Sequence, residues 1–418
     1  MRVLVLLLTV LSLLLLAESK TFWGDTQVLK QLKNTLDPNS VAQGSCISSW
    51  DFKLDPCDAL FSDRFTCGFR CDLVDDSGVS RVTEIGLDQA GYSGSSLSSL
   101  TWNLPYLETL DLSGNYFSGS LPESFSNLTR LRRLILSGNS FSGPIPSSSI
   151  GSLSNLEELF LDNNNLQGSI PQSLNNLVRL NRLEIQANSL SGEFPDLNSL
   201  TSLYYLDASS NAITGQVPST LPASLIQISM RNNSLVGTVP ETIKQLGSLQ
   251  VLDLSHNQLG DSVPAHLFSH PSLQQLTLSF NQFTSLQTPS SAGLQSQLIA
   301  LDLSNNNLLG FLPSFMALMP KLSALSLENN KFTGMIPTQY AFKVALPGTG
   351  VSPFVRLLLG GNYLFGPLPG PLLSMKPGSA NVGLGNNCLY RCPRVFFFCQ
   401  GGDQKSLSEC RSFVPVIP

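Results

Sequence analysis

The chain has 418 residues, more than one globular domain usually contains, so we expect several domains or a repeat array. Charged residues make up 13 % of the chain, the formal net charge is −5, and no basic block stands out. This pattern excludes nucleic acid as an expected partner, and the many glycines, prolines, serines and asparagines favour a solenoid over an α/β enzyme.

The first nineteen positions have the pattern of a secretion signal. Arg2 precedes an apolar run from Val3 to Leu16, and small residues follow at Ala17 and Ser19. The alternative is a membrane anchor, but about 14 apolar residues are fewer than the ~20 that span a bilayer. No later apolar run is long enough to span. We therefore predict a signal peptide over residues 1–19 and a secreted, extracellular protein.

The cysteines fall into two groups at opposite ends of the chain, with none between them. An even count of this kind in a secreted protein predicts two disulfide-stapled caps, over residues 20–81 and 374–418. Each group of four allows three pairings, which stay open. The alternative of zinc, from the Cys-x-x-x-Cys spacing, is disfavoured in an oxidising compartment, so no metal is expected. The predicted disulfide cysteines are Cys46, Cys57, Cys67, Cys71, Cys388, Cys392, Cys399 and Cys410.

A repeat of about 24 residues occupies the middle of the chain, as in "LETLDLSGNYFSGSLP" from Leu107 to Pro122. Apolar residues stand eight, five and three positions before a recurrent asparagine. About twelve copies cover residues 82–373, and the first of them carries Ala90 in place of asparagine. The asparagines of this ladder are Asn115, Asn139, Asn164, Asn188, Asn211, Asn233, Asn257, Asn281, Asn306, Asn330 and Asn362.

A single repeat cannot bury its own leucines, so the repeats must stack. The Leu-x-Leu segment is a short strand with one face inward, and stacking joins these strands into a parallel sheet. Each asparagine can donate to and accept from backbone groups that turn away from water after the strand. The predicted fold class is an α/β solenoid, an arc with a parallel β-sheet on its concave face and a disulfide cap at each end.

The spelling "LxxLxLxxNxLxGxIP" resembles the plant-type extracellular leucine-rich repeat, over roughly 70 % of the chain. The segment before it, "DTQVLKQLKNTLDP…ISSWDFKLDPCDALFSDRFTC", resembles the N-terminal cap of plant leucine-rich-repeat receptors. It departs from that cap by its four cysteines. In receptor kinases a membrane helix and a kinase would follow the repeats, and here the sequence has neither. Polygalacturonase-inhibiting proteins are also similar, with four cysteines at each end.

The concave sheet displays the x positions of each "LxxLxLxx". Most repeats carry small polar residues there, whereas repeats three to seven carry aromatic residues beside arginines and carboxylates, which are typical of interface anchors. The alternative is that Arg133 with Glu158, and Arg182 with Glu184, simply pair across strands. The predicted partner-binding residues are Arg133, Glu158, Phe160, Arg182, Glu184, Tyr205 and Arg231.

Two further features concern the surface. The ladder spacing widens to 32 residues between Asn330 and Asn362, because of an insertion within 338–353. It is either a ligand-binding island or, more commonly, a tolerated surface loop. Asn127-Leu-Thr and Asn232-Asn-Ser are glycosylation sequons, so we predict glycans on both asparagines. A glycan on Asn232 would limit binding at repeat seven.

No catalytic motif is found, and the protein is predicted not to be an enzyme and to need no cofactor. His266 and His270 are four residues apart, but no glutamate follows the first, so the zinc-protease spelling is absent. Both are expected to be surface histidines.

The predicted function is binding of an extracellular peptide or protein, with a receptor-kinase ectodomain as one candidate partner, in signal perception or defence at the cell wall. The alternative is inhibition of a microbial wall-degrading enzyme. A structural wall protein that holds pectin is disfavoured by the acidic balance.

Overall fold

The computed structural model describes residues 21–413, apart from 75–77, 95–96, 292, 346–350 and 391. The predicted signal peptide, residues 1–19, lies outside the described residues. The chain divides into two compact units, the first Met1–Ser189 and the second Leu190–Pro418.

Two sheets build the first unit. Its strands are β1 (Phe69–Leu73), β2 (Ser80–Gly86), β3 (Ser93–Gly94), β4 (Thr109–Asp111), β5 (Tyr116–Gly119), β6 (Arg133–Ile135), β7 (Ser140–Gly143), β8 (Glu158–Phe160), β9 (Asn165–Ser169) and β10 (Arg182–Glu184). The principal sheet has the order β1-β2-β4-β6-β8-β10, and only its first pair is antiparallel. The second sheet has the order β9-β7-β5-β3.

The second unit repeats this plan. Its principal sheet consists of β12 (Tyr205–Asp207), β14 (Gln227–Ser229), β16 (Val251–Asp253), β19 (Gln275–Thr277), β21 (Ala300–Asp302), β23 (Ala324–Ser326), β25 (Arg356–Leu358) and β27 (Asn381–Gly383) in spatial order. All of these neighbours are parallel. The shorter strands are β11 (Ser189–Glu193), β13 (Ala212–Thr214), β15 (Val236–Gly237), β17 (Gln258–Leu259), β18 (Ser262–Val263), β20 (Ser285–Leu286), β22 (Leu309–Phe311), β24 (Lys331–Gly334), β26 (Tyr363–Gly366) and β28 (Cys388–Leu389).

Helices are short except at the N-terminal end. They are α1 (Trp23–Thr35), α2 (Cys46–Ser49), α3 (Ser147–Ile150), α4 (Ala265–Phe268), α5 (Phe315–Leu318), α6 (Thr338–Ala345), α7 (Gly370–Leu373) and α8 (Leu407–Phe413), with 3-10 turns at Pro38–Ser40, Leu97–Ser99, Glu123–Asn127, Gln172–Asn176, Glu241–Gln245 and Phe397–Cys399. In the part of the chain that the structure describes, none of these helices has the length and apolar character needed to cross a membrane.

The core of each repeat is built from the leucines that the spacing singled out. Leu156, Leu159 and Leu161 are fully buried, while Glu158 and Phe160 between them are half-buried on the opposite face of the strand. This alternation is what a strand with one covered face requires. The predicted fold class, a leucine-rich α/β solenoid with parallel sheets and disulfides near both ends, is confirmed.

Each ladder asparagine joins its own repeat to the one before it. Asn164 Oδ1 accepts from the amide of Phe141 at 3.0 Å, and its Nδ2 donates to the carbonyls of Leu136 at 3.0 Å and Leu161 at 3.1 Å. The same three kinds of bond recur at Asn139 and Asn188. Backbone groups that the strand leaves away from water therefore find partners along the stack.

The N-terminal cap packs α1 against the start of the principal sheet. The carboxylate of Asp25 is buried, and it accepts two bonds of 2.9 Å from the Arg81 guanidinium and one from the amide of Val82. Disulfides join Cys46 to Cys67 and Cys57 to Cys71. These bonds resolve the pairing that the sequence left open.

The repeat pattern continues beyond residue 373, the predicted end of the repeats. Strand β27 extends the principal sheet of the second unit, and Asn387 accepts from the amide of Leu364 at 3.1 Å as the ladder asparagines do. The cap proper is held by the disulfides Cys388–Cys410 and Cys392–Cys399.

The insertion within 338–353 is a helix rather than a loop over its first part. Helix α6 buries Tyr340 completely, and the Tyr340 hydroxyl donates to the carbonyl of Pro313 at 2.8 Å. Lys343 is also buried, its Nζ donates to the carbonyl of Met319, and it lies 4.7 Å from the ring centroid of Phe354. Burial lowers the pKa of Lys343 to about 8. Residues 346–350 of the insertion lie outside the described residues.

Candidate functional site

Five of the predicted partner-binding residues lie on three adjacent strands of the first unit. The register of β6, β8 and β10 places Arg133, Glu158 and Arg182 in one row across the sheet. Phe160 and Glu184 face each other in the next row. Residues in one row of a parallel sheet project from the same face, so the five form one surface.

The first row contains an ion pair between neighbouring strands. Arg133 Nε lies 2.7 Å from Glu158 Oε2, and half of the Arg133 side chain is exposed. Exposed pairs of this kind contribute about 0–1 kcal/mol to stability. The simple cross-strand pairing considered from the sequence is therefore what Arg133 and Glu158 do in the structure.

Arg182 and Glu184 also form an ion pair, but along one strand rather than across two strands. The Arg182 Nη2 atom lies 2.5 Å from Glu184 Oε1. The alternative of cross-strand pairing is wrong for these two residues, because they lie two apart on one strand and project from the same face. The guanidinium carbon of Arg182 also lies 5.5 Å from the ring centroid of Phe160, within the range of a cation–π contact.

Gln186 also lies on this surface, and its side-chain oxygen accepts no hydrogen bond from the described residues. Its Nε2 donates to Glu184 Oε2 at 2.9 Å, which fixes the orientation of the amide because a carboxylate only accepts. Its Oε1 is buried and has no hydrogen-bond partner among the described residues. We use the name first-unit patch for this set: Arg133, Glu158, Phe160, Arg182, Glu184 and Gln186.

The other two predicted residues belong to the second unit. Tyr205 is half-buried on β12, and Arg231 follows β14 and is exposed. Arg231 Nη2 lies 3.5 Å from His256 Nε2, and the His256 ring stacks on Phe280 with a centroid distance of 4.2 Å. The sequence analysis did not select His256 and Phe280. The sequence does contain a signal for them, because each is an aromatic side chain directly before a ladder asparagine.

Both predicted glycosylation asparagines are exposed. Asn127 Nδ2 donates to the carbonyl of Thr101 at 2.7 Å, and Asn232 Nδ2 donates to Ser210 Oγ at 3.3 Å. Asn232 has a left-handed backbone, with φ of 54°. Glycosylation at the two sites stays a prediction.

The expectation that His266 and His270 are surface residues is wrong for His270, which is 2 % exposed. Its Nε2 lies 3.3 Å from the carbonyl of Ile243, and its Nδ1 lies 3.4 Å from the amide of Ser272. Burial lowers the pKa of His270 and that of His266, which lies 3.6 Å from Glu241. The described residues contain no group of three or more His, Cys, Asp or Glu placed to hold a metal ion.

Comparison with known proteins places these features in a family. The family model for the leucine-rich repeat region matches residues 85–328. A segment of 56 residues is 46 % identical to Protein STRUBBELIG-RECEPTOR FAMILY 1 of Arabidopsis thaliana, and it covers 13 % of this chain and 7 % of that protein. The chain thus spans less than a tenth of the length of this relative.

Two solved structures are similar over most of the chain. One is the ectodomain of the Arabidopsis thaliana receptor kinase GASSHO1/SCHENGEN3, in complex with CASPARIAN STRIP INTEGRITY FACTOR 2. It has a TM-score of 0.68 and 32 % identity, over 77 % of this chain and 40 % of that chain. The other is the Arabidopsis receptor kinase HAESA, in complex with the peptide hormone IDA and the co-receptor SERK1. It has a TM-score of 0.63 and 28 % identity, over 87 % of this chain and 62 % of that chain.

Proposed function

The chain belongs to the leucine-rich repeat family, and from this premise we propose that it is an extracellular recognition protein that binds a peptide or protein partner on the face of its principal sheet. It has no catalytic activity of its own in this proposal. The fold is that of plant receptor ectodomains, two of which form the complexes with a peptide hormone or an integrity factor named above. The partner is an extracellular peptide, with a receptor-kinase ectodomain as the protein to which the signal passes.

The observation that carries the proposal is the grouping of charged side chains around an aromatic ring in the first-unit patch. The Glu184 carboxylate is nearly buried, and Arg182 and Gln186 both hold it in place. A rigid charged group beside a half-buried ring loses little freedom when a partner binds.

Four disulfides support an extracellular location, because such bonds persist in oxidising compartments. The receptor ectodomains among the similar structures point to the same compartment. Secretion to the cell wall and a role in defence are part of the proposal. The alternative expected from the sequence, inhibition of a microbial wall-degrading enzyme, receives no support from the similar proteins described above and is not proposed.

The test is selection of binding peptides from a random twelve-residue library displayed on phage, with the purified full chain as bait. The affinity of each selected peptide is then compared between the parent chain, Phe160→Ala and Arg182→Gln. Removal of an interface anchor weakens binding by about 1 kcal/mol or more, which is about a five-fold increase in Kd.

Tyr116→Ala is the matched control, because Tyr116 is an exposed aromatic residue on β5 of the second sheet in the same unit. We expect Tyr116→Ala to bind the peptides like the parent. Peptides whose affinity does not change in Phe160→Ala and Arg182→Gln would show that the site lies elsewhere. A selection that yields no binding peptide would contradict the proposed function itself.

A further inference from the structure

Three large side chains of the second unit occupy positions where most repeats of that unit have small ones. Arg231 stands two residues before its ladder asparagine, and His256 and Phe280 each stand one residue before theirs. Two residues before the ladder asparagine, other repeats have small residues such as Ser209, Ser255, Ser279 and Ser304. One residue before it, they have Ser210, Asn232, Asn305 and Asn329.

The backbone at these positions does not favour phenylalanine. His256 and Phe280 both have φ of 55°, in the left-handed region, as do the asparagines and serine of neighbouring repeats. Asparagine tolerates this region, whereas a bulky residue such as phenylalanine is an outlier there. Phe280 is 46 % exposed, so burial in the core does not account for it. Phe280 is thus disfavoured by its backbone conformation and is not required in the core. Such a residue is a candidate for a function.

The three side chains form one continuous surface. The rings of His256 and Phe280 are nearly parallel, with 14° between their planes. Arg231 Nη2 lies 3.5 Å from His256 Nε2, so the guanidinium adjoins the other edge of this stacked pair. The order across the surface is therefore a cation, an imidazole and a phenyl ring that is open to solvent.

Arg231 differs from the sheet-face arginines of the first unit in its partners. Arg133 and Arg182 each have a glutamate within ion-pair distance, whereas none of the ion pairs among the described residues includes Arg231. On the adjacent strand, Asp253 Oδ1 already accepts from the amide of Ser255 at 2.9 Å and from its hydroxyl at 2.6 Å. The guanidinium of Arg231 is thus placed for a carboxylate from another molecule.

We propose that Arg231, His256 and Phe280 form a subsite for a peptide segment that carries an acidic residue close to an aromatic residue. The carboxylate pairs with Arg231, and the aromatic ring stacks on Phe280. The two positions are two repeats apart, about 10 Å at the spacing of adjacent strands. An extended peptide reaches both with side chains one to three residues apart. This inference rests on the proposed function, and it identifies which chemistry the partner presents to the second unit.

The repeat itself supplies the test variant. The triple variant combines Arg231→Ser, His256→Asn and Phe280→Asn. Each of these positions then carries a residue type that other repeats have at the same place. The left-handed backbone accepts asparagine, so this triple variant should unfold at the same temperature as the parent or higher. A loss of binding in this variant therefore reports on the subsite and not on folding.

The experiment uses the phage-displayed twelve-residue library, selected in parallel on the parent chain and on the triple variant. Both proteins are treated enzymatically to remove glycans, because Asn232 lies beside Arg231. We expect peptides selected on the parent to be enriched in Asp or Glu within three residues of Phe, Tyr or Trp. Their Kd should rise at least ten-fold for the triple variant, and exchange of the acidic residue for its amide should have a similar effect.

Peptides that bind the triple variant within two-fold of the parent would overturn the subsite. If those same peptides lose affinity in Phe160→Ala, the proposed function stands and only this inference fails. Selected peptides without acidic or aromatic enrichment would also overturn it. If neither protein selects any peptide, both proposals are wrong.

Discussion

Replacement of Asn164 by leucine tests the role of the asparagine ladder. Asn164 is 8 % exposed, and its side chain bonds to the amide of Phe141 and to the carbonyls of Leu136, Leu161 and Asp162. Leucine has a similar volume but neither donor nor acceptor. The Phe141 amide and the Leu136 carbonyl belong to the preceding repeat, and they would lose the bonds that tie it to Asn164.

The size of the effect follows from these lost bonds. Only the Phe141 amide is left without a partner, because the Leu136 carbonyl also accepts from Asn139 Nδ2 at 3.1 Å. The unpaired buried amide costs about 1–3 kcal/mol and the lost bond at the Leu136 carbonyl about 0.5–1.5 kcal/mol. Burial of the leucine side chain returns roughly 1–2 kcal/mol. We expect a net loss of about 1–2 kcal/mol in the free energy of unfolding of the first unit.

Urea unfolding and amide hydrogen exchange measure this loss. In Asn164→Leu, exchange at the Phe141 amide should accelerate most, because that amide donates to the removed oxygen. The control is Asn165→Leu, the adjacent asparagine, which is exposed on β9. Unfolding of Asn164→Leu within 0.5 kcal/mol of Asn165→Leu, the spread of ordinary surface substitutions, would refute the reasoning about the ladder.

Two further predictions concern pH. Burial lowers the pKa of His270, so the folded state favours the neutral ring. The stabilising effect of this preference is full above the unfolded pKa of about 6.5 and is lost as the pH falls below it. His270→Asn should remove this part of the acid sensitivity, measured by urea unfolding of parent and variant at a neutral and an acidic pH. Burial lowers the pKa of Lys343 to about 8, so the unfolded state binds more protons than the folded state between pH 8 and about 10.5. The free energy of unfolding of the parent should therefore rise by about 2 kcal/mol between pH 7 and 9.5. Lys343→Met should lack this rise, and an identical pH profile in parent and variant would contradict the assignment.

The repeat was predictable because its chemistry is local and repeated. The leucine spacing and asparagines such as Asn164 identify a strand and a turn in every copy. Asn387 was missed because its strand, Asn381–Gly383, carries one valine in place of the usual leucines, so the apolar signal is weak. The ladder bond from the Leu364 amide nevertheless forms, since it depends on the asparagine and the backbone alone.

Features that depend on packing between distant residues were not predictable. The insertion was predicted to be a ligand-binding island or a surface loop, yet Tyr340 is buried and its hydroxyl donates to the carbonyl of Pro313, 27 residues earlier. His270 is buried for a similar reason, by contact with the preceding repeat at Ile243. Neither partner can be identified from spacing.

The candidate surface was predictable in its residues but not in its pairing. Alternation along the strand places Arg182 and Glu184 on one face, and it does not reveal whether an arginine pairs along its own strand or with the next one. Phe280 was not predicted because the other displayed positions of its repeat, such as Thr277 and Ser279, are small and polar. Its left-handed backbone, which only the structure reveals, makes the aromatic residue unusual.

The most direct test of the central claim, recognition through the face of the principal sheet, is hydroxyl-radical footprinting of the full chain with and without a saturating selected peptide. The account predicts that oxidation of Phe160 slows severalfold when the peptide binds, whereas oxidation of Tyr116 on the second sheet does not change. Protection of Tyr116, or of the exposed Met335 that directly follows β24, with Phe160 still fully reactive would contradict the account.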